Sequence, residues 1–154
     1  MVLWLGAPGL KLHLVINAQG QVMNFLLTPG NVADNNQDVL QHLLQGLQGE
    51  CYGDKGYLTT LFERFYQQGL HLITKVRNKM KNKLLPLHQT LKLRKRALIE
   101  SVNDLLTSVF DIEHSRHRKP LNAIAHTLAG LIAYCFYDQK PSVFIPNHQS
   151  ITIA

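Results

Sequence analysis

The stretch that most constrains the fold of this chain runs from residue 94 to residue 109. Apolar residues recur in it at helical spacing, namely Leu98, Val102, Leu105 and Val109. This period gives an amphipathic helix one apolar face. A polar line, at i, i+4, i+7 and i+11, follows the other face: Arg96, Glu100, Asn103 and Thr107. The stretch therefore predicts a long helix, from about Gln89 to Ile112, that packs on a core through one side.

Two stretches near the start of the chain have the period of β-strands. Residues 10–16 alternate and then become continuously apolar, and residues 22–27 form a second apolar run after a turn at 17–21. This arrangement predicts an antiparallel hairpin. Further strands are predicted over 50–53 and 70–76, and further helices over 35–47, 58–68 and 120–138. The order of elements predicts an α/β (α+β) fold with a mixed sheet and flanking helices.

The charge of the chain favours a polyanionic partner. The net charge is +6 and the isoelectric point is near 9.5. Ten of the sixteen Lys and Arg residues lie between Arg64 and Arg96, with no acid among them. A basic surface of this kind is the electrostatic footprint of nucleic-acid binding. At 154 residues the chain fits one domain.

The remaining composition indicates a cytoplasmic protein. Cys51 and Cys135 form no CxxC pair, so a zinc knuckle is excluded, and both are expected to be buried, reduced thiols. Residues 121–137 are rich in apolar types but are interrupted by Asn122, His126 and Thr127. They predict a buried core helix, since a membrane span needs about 20 apolar residues. The other histidines, among them His13 and His42, have no recognisable partner in the sequence.

Two isolated carboxylates are candidates for chemistry. Glu100 is the only acid between Glu63 and Asp104, and Asp54 follows a short apolar run within the motif Gly-Asp-Lys-Gly-Tyr. Two acids in basic surroundings suggest a metal site that acts on phosphates. The simpler alternative for Glu100 is a solvated helix face with an Arg96–Glu100 pair at i,i+4 spacing, worth a few tenths of a kcal/mol.

Several motifs in the order seen here resemble bacterial insertion-sequence transposases of the DDE type. The resemblance covers about residues 9–142. The motifs that carry it are Gly9-Leu10-Lys11-Leu12-His13-Leu14, Thr28-Pro29-Gly30-Asn31-Val32, Gly53-Asp54-Lys55-Gly56-Tyr57, Arg94-Lys95-Arg96-Ala97-Leu98-Ile99-Glu100, Ile112-Glu113-His114-Ser115-Arg116-His117-Arg118 and Leu128-Ala129-Gly130-Leu131-Ile132-Ala133-Tyr134. Each motif is weak alone, and their order and spacing make the resemblance specific.

The resemblance implies a ribonuclease-H-like fold that presents three carboxylates to two divalent ions, Mg²⁺ or Mn²⁺. The second acid of the family corresponds to Asp54, and the third, within an Arg-x-x-x-Glu pattern, corresponds to Glu100. The implied reaction is cleavage and transfer of DNA strands in transposition. Hard divalent ions prefer carboxylate oxygens. Paired ions about 3.5–4 Å apart can activate a nucleophile and stabilise a leaving oxygen.

The chain departs from the family pattern in its first acid and in two other positions. The first acid is expected upstream of the hairpin, but residues 1–9 contain neither Asp nor Glu. Thr107 and Leu93 stand where the family often has lysine and tyrosine. We therefore expect a truncated transposase domain over 10–138, a non-family leader over 1–9 and a loose tail over 139–154. With two carboxylates left, catalysis is expected to be weak or absent, which leaves open whether the chain is an active enzyme.

Other residues are expected to serve DNA binding or to be structural. The predicted DNA contacts are Lys55, Tyr57, Lys75, Arg77, Lys79, Lys81, Arg96, Arg116 and Arg118. The alternative for each is an ordinary solvated side chain, and a non-catalytic DNA-binding remnant is the competing function. Asp34 and Asp38 are expected to act as a helix N-cap or first-turn acid and not as metal ligands. A sheet without its first strand would also favour self-association. No membrane and no small-molecule cofactor are expected.

Overall fold

The computed structural model describes residues 2–5, 9–52, 61–73, 85–113 and 119–143. It is a mixed α/β structure of small sheets and helices. The strands are β1 (Val2–Leu5), β2 (Leu10–Ile16), β3 (Val22–Pro29), β4 (Gly49–Tyr52) and β5 (Leu70–Ile73). The helices are α1 (Gln37–Leu44), α2 (Phe62–Gln67), α3 (Leu85–Ser108) and α4 (Pro120–Cys135). The described helices and strands follow the order that the sequence predicts, with β1 added in front.

The predicted hairpin is present and carries an additional strand. β2 pairs antiparallel with β3, and β3 extends two residues further than its apolar run, to Pro29. β1 pairs antiparallel with the other edge of β2, so β2 is the middle strand of three. The sequence does not predict β1, because its four residues are too short a run to show a period. Residues 2–5, which belong to the predicted leader, are thus part of the sheet.

The second sheet is a parallel pair, β4 and β5, joined by α2. In the described ranges no backbone ladder joins β1 to β4, so the single mixed sheet that was predicted is divided into an antiparallel and a parallel part. β4 covers residues 49–52, one residue earlier than predicted. Its end at Tyr52 lies two residues before Asp54 in the chain.

The larger core lies between the antiparallel sheet and the last two helices. Alternate residues of β2 enter it, while α3 and α4 supply the opposite side. Its buried members are Leu5, Leu12, Leu14, Ile16, Leu98, Val102, Leu106, Ile112, Leu131 and Tyr134. The hydroxyl of Tyr134 donates 2.6 Å to the carbonyl of Gly20, which ties α4 to the hairpin turn. This core fixes α3, and with it Glu100, relative to the sheet.

The other face of β2 meets a second core and two buried polar groups. Val15 packs with α1, α2 and the parallel sheet through Leu43, Leu44, Cys51, Phe65 and Leu70. Lys11 and His13 are buried on the same face of the strand. His13 Nε2 lies 2.9 Å from Thr28 Oγ1, and burial lowers the pKa of this histidine. The expectation that His13 has no partner is therefore wrong.

Helix α1 is shorter than predicted and has a different cap. Asn36 is the N-cap, and its side chain accepts from the amides of Asp38 and Val39 at 2.9 and 3.3 Å. Asp38 lies in the first turn, where a carboxylate favours the helix dipole. Asp34 lies before the helix and pairs with Lys11 instead. The prediction of a first-turn acid is confirmed for Asp38, and the N-cap prediction is wrong for both acids.

Helix α3 ends at Ser108 and not at Ile112. After Ser108 the chain turns sharply, and Asp111 has a φ of 50°. This turn returns Ile112 to the core, where it is fully buried. It also leaves Val109 58% exposed, whereas Leu106, which the predicted apolar positions do not include, is fully buried. Two of the four predicted apolar positions, Leu98 and Val102, are fully part of the core.

Helix α4 is amphipathic and not buried on all sides. One face is buried and contains Ala123, Thr127, Gly130, Leu131 and Tyr134. Leu121, Ile132 and Phe136 are exposed on the other side. Cys135 is also exposed, so its predicted burial is wrong, although both cysteines are free thiols as predicted. Among the helices of the described part, none combines the length and apolarity that crossing a membrane requires.

Candidate catalytic site

Glu100 lies in the C-terminal half of α3, on the polar face predicted from the sequence. The neighbouring core residues Leu98 and Val102 anchor the helix, and Glu100 points to solvent with 63% of its side chain exposed. Arg96, one turn earlier, donates from Nε to Glu100 Oε1 at 3.1 Å and is 80% exposed. The predicted i,i+4 pair is thus formed. Its exposure means that it orients the carboxylate without adding much stability.

Asn103 is the residue that follows Glu100 in the polar line. It lies three residues after Glu100, a separation at which helix side chains are neighbours. Its Oδ1 is buried and accepts no hydrogen bond from the part of the chain that the structure describes. Thr107, the next residue of the line, donates to the backbone carbonyl of Asn103 at 3.0 Å.

A second polar cluster connects α3 to the end of β4. Lys95, next to Arg96 in the chain, is buried, and its Nζ lies 3.2 Å from the centroid of the Tyr52 ring. The hydroxyl of Tyr52 donates 2.7 Å to Glu50 Oε2. Lys95, Tyr52 and Glu50 thus form one contact chain, which we call the Lys95 cluster.

The electrostatics of the Lys95 cluster follow from its burial. Burial lowers the pKa of Lys95 to about 8, against a smaller opposite effect of the Glu50 charge. Burial and the hydrogen bond to Glu50 raise the pKa of Tyr52 well above its ordinary range. Burial also raises the pKa of the neighbouring Cys51 to about 11, so this thiol is neutral near pH 7. The cluster is a desolvated region around the Lys95 ammonium.

Most of the other predicted site residues lie outside the described ranges. Of the predicted ligands, the structure describes Glu100, and Asp54 falls outside. Of the predicted DNA contacts it describes Arg96. The remaining ones fall outside, namely Lys55, Tyr57, Lys75, Arg77, Lys79, Lys81, Arg116 and Arg118. The roles of all these residues stay predictions.

The described part of the chain contains one of the two predicted metal ligands, Glu100. Glu100 offers a solvent-accessible carboxylate, which is the kind of ligand that Mg²⁺ and Mn²⁺ prefer. Within the described ranges no three His, Cys, Asp or Glu side chains come together as a metal-binding group. Asp34 pairs with Lys11 Nζ, which is a structural role different from the helix N-cap expected for it. A complete site would have to include residues beyond Glu100.

Sequence reasoning missed the Lys95 cluster. In the sequence Lys95 is one of three consecutive basic residues, Arg94, Lys95 and Arg96, a pattern that predicts an exposed side chain. Its neighbours Arg94 and Arg96 are exposed, whereas Lys95 is buried. The signal was available, because Lys95, Leu98, Val102 and Leu106 follow each other at intervals of three and four residues.

The comparisons with known proteins give one family. A model of the transposase DDE domain matches residues 4–120, which is most of the chain. Neither the curated proteins nor the solved structures contain a significant match. Transposases of this family act on DNA and use divalent metal ions. The matched range includes α3 with Glu100 and Arg96, and it also includes the Gly-Asp-Lys-Gly-Tyr motif. The chain therefore belongs to the transposase DDE domain family.

Proposed function

We propose that Asp54 and Glu100 are two metal-ligating carboxylates of a DDE-type transposase domain that acts on DNA. We further propose that the domain has a ribonuclease-H-like fold. The position of Glu100 carries this proposal. It is an exposed carboxylate on the long helix of a chain that matches the DDE domain, and Arg96 holds it from one turn away.

The order of elements supports a common site for the two acids. β4 ends at Tyr52, so Asp54 follows a strand closely. The Lys95 cluster links this strand end to α3, the helix that carries Glu100. An aspartate after a strand and a glutamate on a neighbouring helix have short and long side chains that can reach one point. Bound Mg²⁺ or Mn²⁺ would activate an attacking hydroxyl and stabilise the leaving oxygen of a phosphodiester.

We propose that this chain, by itself, cleaves DNA weakly or not at all. Two carboxylates provide fewer ligands than a two-metal site needs, and residues 1–9 contain no Asp or Glu. The basic residues would then bind DNA through its phosphates, without reading sequence. This is the second candidate function, a non-catalytic DNA-binding domain. The excess of basic residues between Arg64 and Arg96 favours it.

Nicking of supercoiled DNA in the presence of Mn²⁺ tests the catalytic proposal. The chain is compared with Asp54→Asn and Glu100→Gln, and with Asp104→Asn as a matched control. Asp104 is an exposed acid on the same helix, four residues after Glu100. Nicking that is lost in Asp54→Asn and Glu100→Gln, and kept in Asp104→Asn, would support a working site with a further ligand. Equal nicking by all four proteins would overturn the assignment of Asp54 and Glu100.

DNA binding separates the second candidate from an ordinary basic protein. If no protein nicks DNA, binding is measured as a function of salt concentration. A DNA-binding domain is expected to lose affinity steeply as salt rises, because phosphate contacts release counterions. Arg96→Gln should weaken binding and make the salt dependence less steep. Binding that does not change with salt would contradict a phosphate-binding surface.

A further inference from the structure

We propose that Lys95 and Tyr52 are positioning residues, whose contact fixes α3 against the end of β4 and so sets where Glu100 lies relative to Asp54. Neither residue touches the reacting atoms in this assignment. The inference rests on the proposed function, because it concerns the separation of the two proposed ligands. It assigns a role to two residues, Lys95 and Tyr52, that are not among the proposed metal ligands.

The geometry of the contact is well defined. Lys95 is 6% exposed, and its Nζ lies 3.2 Å from the centroid of the Tyr52 ring, a position over the ring face. The hydroxyl at the edge of the same ring donates 2.7 Å to Glu50 Oε2. The ring is therefore held at its face by α3 and at its edge by its own strand. A shift of α3 along β4 would move the ammonium off the ring.

The contact lies close to both proposed ligands in the chain. Tyr52 is the last residue of β4, and Asp54 follows two residues later. Lys95 precedes Glu100 by five residues on one helix, which corresponds to about 7.5 Å along the helix axis and about 140° around it. Lys95 thus faces the protein while Glu100 faces solvent. The rigid helix transmits the position of one to the other.

Stability alone does not account for a lysine at this position. Removing an ammonium from water is costly, and apolar residues of similar volume often replace buried charges with no loss of stability. A methionine would fill the space of the lysine stem with no charge to desolvate. Buried charges are retained in some proteins because they fix one arrangement of the parts. The directional contact between a cation and a ring face can fix such an arrangement here.

The test measures Mn²⁺ binding to the 154-residue chain by calorimetry. Lys95→Met is expected to weaken Mn²⁺ binding about tenfold, in the range seen when the groups that orient metal ligands are changed. Its melting temperature without metal should stay equal to that of the parent chain or rise. Lys95→Arg, which keeps a cation over the ring, should bind Mn²⁺ within about twofold of the parent.

Arg94→Met is the matched control, because it removes an exposed positive charge from the adjacent position. Loss of a nearby positive charge makes the binding of a cation more favourable or leaves it unchanged. A weaker Mn²⁺ affinity in Lys95→Met, without the same change in Arg94→Met, therefore cannot be a charge effect. That result would support a positioning role.

The outcomes distinguish this inference from the proposed function. If the parent binds Mn²⁺, Asp54→Asn and Glu100→Gln abolish binding and Lys95→Met binds as the parent does, the positioning role is wrong and the proposed site stands. A weaker Mn²⁺ affinity together with a lower melting temperature in Lys95→Met would mean a merely structural role for Lys95. If the parent binds no Mn²⁺, the proposed metal site fails and the positioning inference falls with it.

Discussion

Lys11 Nζ donates to Asp34 Oδ1 and to the carbonyl oxygen of Val32, both at 2.9 Å. Lys11 is buried on β2, whereas Asp34 is half exposed in the segment after β3. One ammonium thus ties the segment that leads into α1 back to the middle strand of the sheet. Breaking the pair would affect the two partners differently. Water can solvate the half-exposed carboxylate of Asp34, whereas the ammonium of Lys11 is buried.

We expect Asp34→Ala to destabilise the fold more than Lys11→Met. Removal of Asp34 leaves a buried ammonium with one fewer acceptor, at a cost of about 1–3 kcal/mol. Lys11→Met removes the charge, keeps most of the stem and leaves a carboxylate that water can solvate. Urea unfolding at pH 7 measures both changes, and Asp104→Ala, an exposed acid on α3, is the control. Equal losses in both variants would show that the buried charge does not determine the cost.

Arg96→Gln is expected to change the free energy of unfolding by less than about 0.5 kcal/mol. The Arg96–Glu100 pair is formed but highly exposed, and exposed i,i+4 pairs contribute about 0.3–0.5 kcal/mol. Urea unfolding of the variant and of Glu100→Gln provides the measurement. A loss above about 1.5 kcal/mol would assign Arg96 a structural role and weaken its assignment as a site residue.

The fold was predictable from the sequence where the pattern is local. The alternation in residues 10–16 and the turn after it are sufficient for the hairpin, because both strands and the turn are adjacent in the chain. The end of α3 was not predictable in this way. The apolar period continues through Val109, but the chain turns after Ser108 so that Ile112 can enter the core. That turn depends on packing of Ile112 against the antiparallel sheet and α4, which the apolar period of α3 does not reveal.

The candidate site, like the fold, was predictable only where the sequence pattern is local. The Arg96–Glu100 pair follows from helix geometry alone and was predicted. The Lys95 cluster depends on which side of α3 meets β4, and residues some forty positions apart do not reveal this by their spacing. Similarly, Asp34 and Asn36 are both suitable N-cap residues. The structure favours Asn36, because Lys11 from a neighbouring strand engages Asp34.

Between pH 7 and 9 we expect the chain to become more stable relative to Lys95→Met. Burial lowers the pKa of Lys95 from its ordinary value of 10.5 to about 8. As the pH rises through 8, the folded state releases this proton while the unfolded state keeps it. The unfolded state then binds more protons, so the free energy of unfolding rises, by at most about 1.4 kcal/mol per pH unit. Urea unfolding at several pH values measures the difference.

Above pH 9 other buried groups are expected to lower the stability of the parent chain and of Lys95→Met alike. The pKa of Cys51 is raised from 9.0 to about 11, and that of Tyr134 from 10.0 to about 12. Burial and Glu50 also raise the pKa of Tyr52. These acids ionise in the unfolded chain first, so each one lowers stability as the pH rises. A difference between the parent and Lys95→Met that is constant from pH 7 to 9 would show that Lys95 titrates normally.

Gly130→Ala is expected to destabilise the chain although alanine favours helices. An ideal Cβ at this position would lie 2.5 Å from Ile112 Cγ1 and 3.2 Å from the carbonyl oxygen of Phe110. Helix propensity makes alanine about 1 kcal/mol more favourable than glycine in a helix, but overpacking of a core costs about 1–3 kcal/mol. We expect a net loss of about 1 kcal/mol in urea unfolding, because α4 can approach the turn after α3 this closely only without a side chain.

A double-mutant cycle with Ile112→Ala isolates the contact behind this loss. Ile112→Ala alone is destabilising, since it empties a fully buried position, but it removes the side-chain atoms that the new methyl group would meet. In that background Gly130→Ala should be neutral or stabilising, so the two changes are not additive. Ala129→Gly, at the exposed neighbouring position, gives the helix-propensity contribution separately. Purely additive losses would show that α4 can shift to accommodate the methyl group, and that Gly130 does not set its distance from Ile112.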